Sequence, residues 1–203
     1  MAYSGLWAIH RRSRHDGKQM IDDAPEIKTL STTAVYQNPW MKVREDIVER
    51  RDGSRGVYGV VEKNDFSLIV PIEATGTVYL VEQFRYPVGK RFWELPQGSW
   101  EEREGVDPLE LAYGELREET GLAADEMMYV GQLFEAYGYS TQRCHIFLAR
   151  GLHPLLTDLD PEEQGLISRG FATEAVIDMI VRGEIKDAAT VAAFGLLRLK
   201  GLL

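Results

Sequence analysis

The sequence holds a single cysteine, Cys144, in 203 residues. One cysteine excludes an internal disulfide, and no zinc site can be assembled around it from the spacing of other Cys or His residues. Its setting, Arg143-Cys144-His145-Ile146-Phe147-Leu148, reads as a buried strand in which the thiol is a small core group. Long apolar runs are missing as well. None approaches the ~20 residues that a membrane span requires, so no membrane partner is expected. The mildly apolar residues 1–9 precede Arg11, Arg12 and Arg14, the reverse of the charge order in a secretory signal, and a cytoplasmic protein is expected. Positive charge is scarce: 23 Lys and Arg stand against 32 Asp and Glu, a formal net charge of -9. That excludes the broad basic field that non-specific nucleic-acid binding needs, and no nucleic-acid partner is expected. Only the short basic segment 11–18 keeps open a reaction on RNA 5′ caps. A polyanionic substrate would have to be received through local basic residues or bound metal ions. There is no internal repeat and no low-complexity tract.

What is present is an ordinary globular composition, 44% hydrophobic and 27% charged. The length suits one domain with a modest extension. From about Lys28 the pattern turns to strands. Residues 42–49 and 56–62 are two strands joined by Arg51-Asp52-Gly53-Ser54, whose Asp-Gly is a hairpin signal. Residues 67–72 and 78–84 read as another pair across Thr75-Gly76, and 127–133 and 143–149 as later strands. Three helices are expected: one from Pro108 to Thr120, one from near Thr173 to Gly183, and one from near Asp187, a good N-cap, to before Gly201. This mixture predicts an α+β or layered α/β/α domain. Residues 1–58 read as a strand-rich extension and 59–203 as the main domain, with no Pro/Gly/Ser-rich linker between them.

The helix from Pro108 carries the chemistry. Asp107 caps it, Pro108 fits its first position, Glu110 sits where a capping box wants it, and Gly121 stops it. Leu109, Ala112, Tyr113 and Leu116 fall on one face, and Glu115, Glu118 and Glu119 on another. Like charges at this spacing repel by about 0.2–0.5 kcal/mol per exposed pair. They also lie near the helix C-terminus, where the macrodipole disfavours negative charge. Arg117, adjacent in sequence, points elsewhere. Hard carboxylate oxygens on a rigid helix suit Mg²⁺ or Mn²⁺, and the bland alternative is a solvated acidic face.

Upstream, Glu94-Leu95-Pro96-Gln97-Gly98 closes a short strand before the chain loops into this helix. The whole resembles the Nudix box, the signature of hydrolases that split a nucleoside diphosphate linked to another group. Glu115-Leu116-Arg117-Glu118-Glu119-Thr120-Gly121-Leu122 matches its second half without a gap, and Gly98 matches its first glycine. Two departures stand out. The Arg that precedes the first of these glutamates in the family, where it helps orient a carboxylate, is Gly114 here. The loop after Gly98 is two residues longer than the family pattern, so the family's isolated Glu aligns with Val106 and its place falls to Glu102 or Glu104. The segment from Val81 through Arg85, Tyr86 and Trp93 to Gly98 resembles the ADP-ribose pyrophosphatase branch, as do Tyr36-Gln37-Asn38-Pro39-Trp40 and residues 183–190.

The resemblance implies a Nudix-type α/β/α sandwich with a mixed sheet. It implies hydrolysis of the diphosphate of ADP-ribose or a related nucleoside diphosphate sugar, giving a nucleoside monophosphate and a sugar phosphate. It also implies divalent ions, Mg²⁺ or Mn²⁺, held by Glu115, Glu118, Glu119 and the carbonyl of Gln97, with Glu118 counted among the catalytic groups. A base would come from the loop at 158–165, with Glu162 and Glu163 as candidates. Gln164 stands where related sequences often carry another acid. Arg85 and Glu94 match substrate-contacting positions, although each also has a structural reading, as an ion pair and a strand terminus. Trp40, Tyr86 and Trp93 are candidates for stacking on a base or for the core. The branch implies a homodimer built through the N-terminal strands. Another nucleotide sugar such as GDP-mannose, or a Nudix sensor that binds without cleaving, remains open.

Overall fold

The computed structural model describes residues 25–100, 103, 105–155 and 165–203. Glu102, Glu104, Glu162, Glu163, Gln164 and the basic segment 11–18 lie outside the described residues. In chain order the elements are β1 (Ile27–Gln37), β2 (Lys42–Arg50), β3 (Arg55–Glu62), β4 (Phe66–Pro71), β5 (Thr77–Arg85), β6 (Lys90–Glu94), β7 (Gln97–Gly98), α1 (Pro108–Thr120), β8 (Leu122–Phe134), β9 (Arg143–Pro154), β10 (Ile167–Ala172), α2 (Thr173–Val181) and α3 (Ala188–Leu199). A short 3₁₀ turn at Tyr86–Val88 links β5 to β6.

Among the described residues three sheets are formed. β1, β2 and β3 make an antiparallel meander; β7-β4-β9-β8 is a mixed sheet in which β4 and β9 run parallel; β10-β5-β6 is antiparallel. The turn at Asp52-Gly53 is the expected hairpin. Gly53 takes a positive φ of 78°, and the Asp52 carboxylate accepts from the Ser54 amide at 2.9 Å.

β4 is buried along its whole length. Its alternate residues go to opposite sides: Phe66, Leu68 and Val70 join a core with Val176 and Met179 of α2 and Ala193, Phe194 and Leu197 of α3. Ile69 joins a second core with Ala112 and Leu116 of α1. β9 repeats the division, with Cys144, Ile146 and Leu148 in the first core and Phe147 and Ala149 in the second. Period-2 side chains buried on both faces explain why the centres of these strands, Leu68 to Val70 and Ile146 to Ala149, are apolar at every residue. α1 therefore covers one face of the mixed sheet, and α2 with α3 the other, the layered arrangement that the sequence predicts. Burial pushes the Cys144 thiol far above its usual range, so it stays protonated in the core.

One expected pairing is wrong. β4 and β5 are not a hairpin pair; they lie in different sheets, and among the described residues the only backbone bridge between the two segments is Ile72 to Val78, just past the end of β4. Each is a central strand whose two edges are already taken, β4 by β7 and β9 and β5 by β10 and β6. The turn at Gly76 thus carries the chain from one sheet to the next.

Candidate active site

The site begins with β7. Its two residues pair with Ser67 and Leu68 of β4, and the Pro96 carbonyl accepts from the Ile69 amide at 2.9 Å. This fixes the short strand against the side of α1. The helix itself starts and stops where its chemistry says: the Asp107 carboxylate accepts from the Leu109 amide at 2.9 Å, and Gly121, at φ 68°, donates to the Arg117 carbonyl. Glu110 pairs with Arg103 on the surface.

The acidic face of α1 is not a solvated face. Glu115 and Glu119 are only 5% and 4% exposed, whereas Leu109 and Tyr113, expected on the apolar face, are exposed. The buried face runs through Leu111, Ala112, Glu115, Leu116 and Glu119. Both buried glutamates meet the backbone of β7. The Gln97 amide donates to Glu119 Oε2 at 2.9 Å. Gly98 lies so close to Glu115 that an added Cβ would come within 2.6 Å of the carboxyl carbon. A glycine is required there because of this close approach.

Glu118 is more open, 18% exposed. Arg117 does not point elsewhere: its Nη2 donates to Glu118 Oε1 at 2.9 Å. The other oxygen faces the indole Nε1 of Trp100 at 3.5 Å. That ring lies over Gly114.

The β5–β6 hairpin contributes a second carboxylate centre. Glu94, 2% exposed, accepts from Gln83 Nε2 at 2.8 Å and is gripped by Arg85 through both Nε and Nη2. Burial pushes the Glu94 pKa up; Arg85 pulls it down, and Asp187 adds to the rise. Asp187 caps α3, its Oδ2 accepting from the Thr190 amide at 2.8 Å and also from Gln97 Nε2 at 3.1 Å. The Thr190 hydroxyl in turn accepts from the Leu95 amide at 2.9 Å. Residues 94–98 are thus held on one side by the start of α3 and on the other by the acidic face of α1.

The structure therefore brings Gln97, Glu115 and Glu119 into one cluster with Glu118 beside it. Arg85 and Glu94 lie against each other, and the fields of Glu119 and Asp187 reach Arg85. Trp93 packs at the edge of the core, its ring at 4.9 Å from Phe171; Trp40 and Tyr86 are exposed. Asp187, Thr190 and Trp100 are site residues that sequence reasoning did not place here. So is Glu135, just beyond β8, whose pKa is raised by partial burial and by Asp187 against the pull of Lys63. A glycine inside α1 was the available signal for Trp100.

Among the described residues no three carboxylate, imidazole or thiolate groups close on one point at metal-ligand spacing. The donors nonetheless suit a hard divalent cation: carboxylates on one helix face, two of them against the Gln97-Gly98 backbone.

Comparison with known proteins decides the family. Residues 27–61 match the Nucleoside diphosphate sugar hydrolase N-terminal domain, and residues 64–188 match the NUDIX domain. The chain belongs to the Nudix hydrolase family. It is 29% identical over 168 residues to an ADP-ribose pyrophosphatase of Mycobacterium tuberculosis (strain ATCC 25618 / H37Rv), covering 82% of this chain and 81% of the relative. It is 27% identical over 179 residues to the methanol dehydrogenase activator of Bacillus methanolicus, covering 88% of this chain and 96% of that one. The fold superposes on a crystal structure of an ADP compounds hydrolase with a TM-score of 0.76 at 21% identity, covering 88% of this chain and 98% of the other. The Gly98–Leu122 segment that resembles the Nudix box lies within the matched residues 64–188.

Proposed function

We propose that this Nudix hydrolase cleaves the diphosphate of ADP-ribose or a related nucleoside diphosphate sugar, in a reaction that requires a divalent metal ion. The observation that carries the reading is the packing of Glu115 and Glu119 against the backbone of Gln97 and Gly98. The names of the relatives supply the substrate class. Metal dependence is typical of the family, and Mg²⁺ or Mn²⁺ is the proposed ion.

Glu115, Glu118, Glu119 and the Gln97 carbonyl would hold the ion. Bound there, a divalent cation neutralises diphosphate charge and lowers the pKa of water. This offers an acidic protein a way to receive a dianion. The helix keeps its glutamates on one rigid face, and the Gln97 amide of β7 meets Glu119 there. Arg85 is the proposed contact for phosphate or sugar, with Glu94 fixing the guanidinium through Nε and Nη2. Glu162 and Glu163 are the proposed sources of the base.

Residues 1–58 are proposed as an N-terminal extension and 59–203 as the catalytic domain. The β1-β2-β3 sheet supports a homodimer. Every residue of β1 is exposed, and Ile27, Leu30, Val35, Tyr36, Val57 and Tyr58 present apolar surface on this sheet. No helix among the described residues is long and apolar enough to cross a membrane. A cytoplasmic setting is proposed from the single-cysteine composition.

The test is ADP-ribose hydrolysis with and without Mg²⁺, with products resolved by chromatography. AMP and ribose 5-phosphate formed only with metal are expected. Turnover of GDP-mannose in preference to ADP-ribose would move the substrate within the nucleotide sugars. Tight binding of ADP-ribose without turnover would make the protein a sensor.

A further inference from the structure

We infer that Trp100 is a positioning residue for Glu118, and that Gly114 is the opening in α1 that admits its indole. The inference rests on the reading of Glu118 as a metal ligand.

Gly114 sits inside α1, where glycine costs about 1 kcal/mol against alanine. It does not serve a turn, because it lies in regular helix seven residues before the C-cap at Gly121. What it does is remove a side chain. A Cβ at this position would stand 2.9 Å from Cη2 of Trp100 and closer still to Cζ2, so no other residue can occupy position 114 with the indole in place. The six-membered ring therefore lies against bare helix, one turn before Glu118.

That seat turns the indole Nε1 toward Glu118 Oε2, at 3.5 Å. An indole N–H can only donate, and a carboxylate can only accept, so the pairing has one polarity. Arg117 takes the other oxygen. Glu118 is thus held from two sides by groups that differ in kind: an exposed surface guanidinium, and a ring in close contact with the helix. The ring is itself secured. The Trp100 carbonyl accepts from Asn64 Nδ2 at 3.3 Å, and the Arg103 guanidinium lies 4.9 Å from the ring centre.

Position matters here because Glu118 lacks the support its neighbours have. Glu115 and Glu119 are buried against β7, whereas Glu118 stands at the edge of the cluster, near two other carboxylates on the same helix face. Left to rotate, it would swing away from them into solvent. A donor on the loop that leads into α1 holds its carboxylate in one orientation before any cation arrives, which lowers the ordering cost of binding one. The Gly114 departure from the Nudix pattern and the indole at 100 are accordingly one structural change, not two.

The experiment titrates the full-length protein with Mn²⁺, reading free Mn²⁺ by electron paramagnetic resonance, for wild type, Trp100→Phe and Gly114→Ala. Trp100→Phe keeps an aromatic ring over Gly114 and removes the N–H. It is expected to melt with wild type in the absence of metal yet to bind Mn²⁺ on the order of fivefold more weakly. Gly114→Ala is expected to weaken Mn²⁺ binding as well, by displacing the ring. In wild type, the indole N–H resonance of Trp100 is expected to shift on saturation with Mg²⁺, a readout that needs no variant to fold. Unchanged Mn²⁺ affinity in a folded Trp100→Phe, or an indole resonance unmoved by Mg²⁺, overturns the inference. Wild type that binds no Mn²⁺ would instead sink the metal reading and this inference with it, so the two failures are told apart by the wild-type titration.

Discussion

The guanidinium of Arg85 closes on the carboxylate of Glu94 across the β5–β6 hairpin, and Glu94 is almost fully buried while Arg85 is half-buried. A buried charge that loses its partner costs more than the pair was worth. Arg85→Ala should therefore destabilise the protein by about 1–3 kcal/mol at neutral pH, less than a fully buried pair because solvent screens the guanidinium. Adding Glu94→Gln should recover part of that loss. The sign with pH follows from burial, which raises the Glu94 pKa. A raised carboxyl pKa contributes stability at low pH that is lost as pH climbs through the folded value. Without Arg85 to oppose it, that loss grows, so the deficit of Arg85→Ala should be largest in mild base and shrink in acid as Glu94 takes up a proton. Thermal melts of wild type, both single variants and the double variant across pH check this. An equal deficit at every pH would refute it.

Glu118 and Glu119 make the sharpest test of the metal reading. If both hold a divalent cation, Glu118→Gln and Glu119→Gln should each lower kcat for ADP-ribose on the order of 100-fold, a loss of about 2.7 kcal/mol. Glutamine preserves size, and at position 119 its Oε1 can still accept from the Gln97 amide, so a collapse of the fold is not expected to account for the loss. Rates that stay within about threefold of wild type, under ~1 kcal/mol of barrier, would remove these residues from the metal site.

Asp187 joins two jobs in one carboxylate oxygen, the cap of α3 and the anchor of the Gln97 side chain. Asparagine is nearly as good an N-cap as aspartate and retains an acceptor. Asp187→Asn should accordingly melt close to wild type, while Asp187→Ala should lose about 1 kcal/mol from the cap. Asp187→Ala should also raise the KM for Mg²⁺, because Gln97 then loses the partner that anchors its side chain beside the glutamates. Activity measured over a Mg²⁺ series separates the two effects. If both variants have wild-type Mg²⁺ dependence, Asp187 acts only as a cap.

The helices were legible in the sequence because caps are local chemistry. Asp107 and Gly121 bound α1, and Asp187 starts α3, using residues within a few positions of each helix end. The carboxylate cluster was legible for the same reason, since helical spacing alone puts Glu115, Glu118 and Glu119 together. Strand pairing was legible where the turn is local, at Asp52-Gly53 between β2 and β3, but not for β4 and β5. Thr75-Gly76 looks like the turn of a hairpin, but which edges β4 and β5 use depends on β7, β9, β10 and β6, which are distant in sequence. The burial of Glu115 and Glu119 was hidden likewise, because it comes from β7 rather than from α1. The joining of Gln97 to Asp187 spans 90 residues, and no local pattern announces it. Trp100 was hidden by the opposite fault. Gly114 departs from the motif and suggests close approach by a backbone or a ligand, when the group that approaches is the Trp100 side chain.

Gly98 gives the last test, because its constraint is steric and not conformational. Its backbone is in ordinary strand pairing with Ser67, so alanine is allowed there by φ and ψ. What alanine lacks is room: its Cβ would overlap the Glu115 carboxylate, and Glu115 is buried and has little space to retreat. Gly98→Ala should destabilise the protein by about 1–3 kcal/mol, the usual range for overpacking. It should also weaken Mn²⁺ binding, because Glu115 has to turn away from β7. Coupling the substitution to Glu115→Asp, whose carboxylate is drawn back by one methylene, should restore stability but not metal affinity. A single Gly98→Ala variant with wild-type melting and wild-type Mn²⁺ affinity would mean that β7 and α1 are farther apart than this close contact requires.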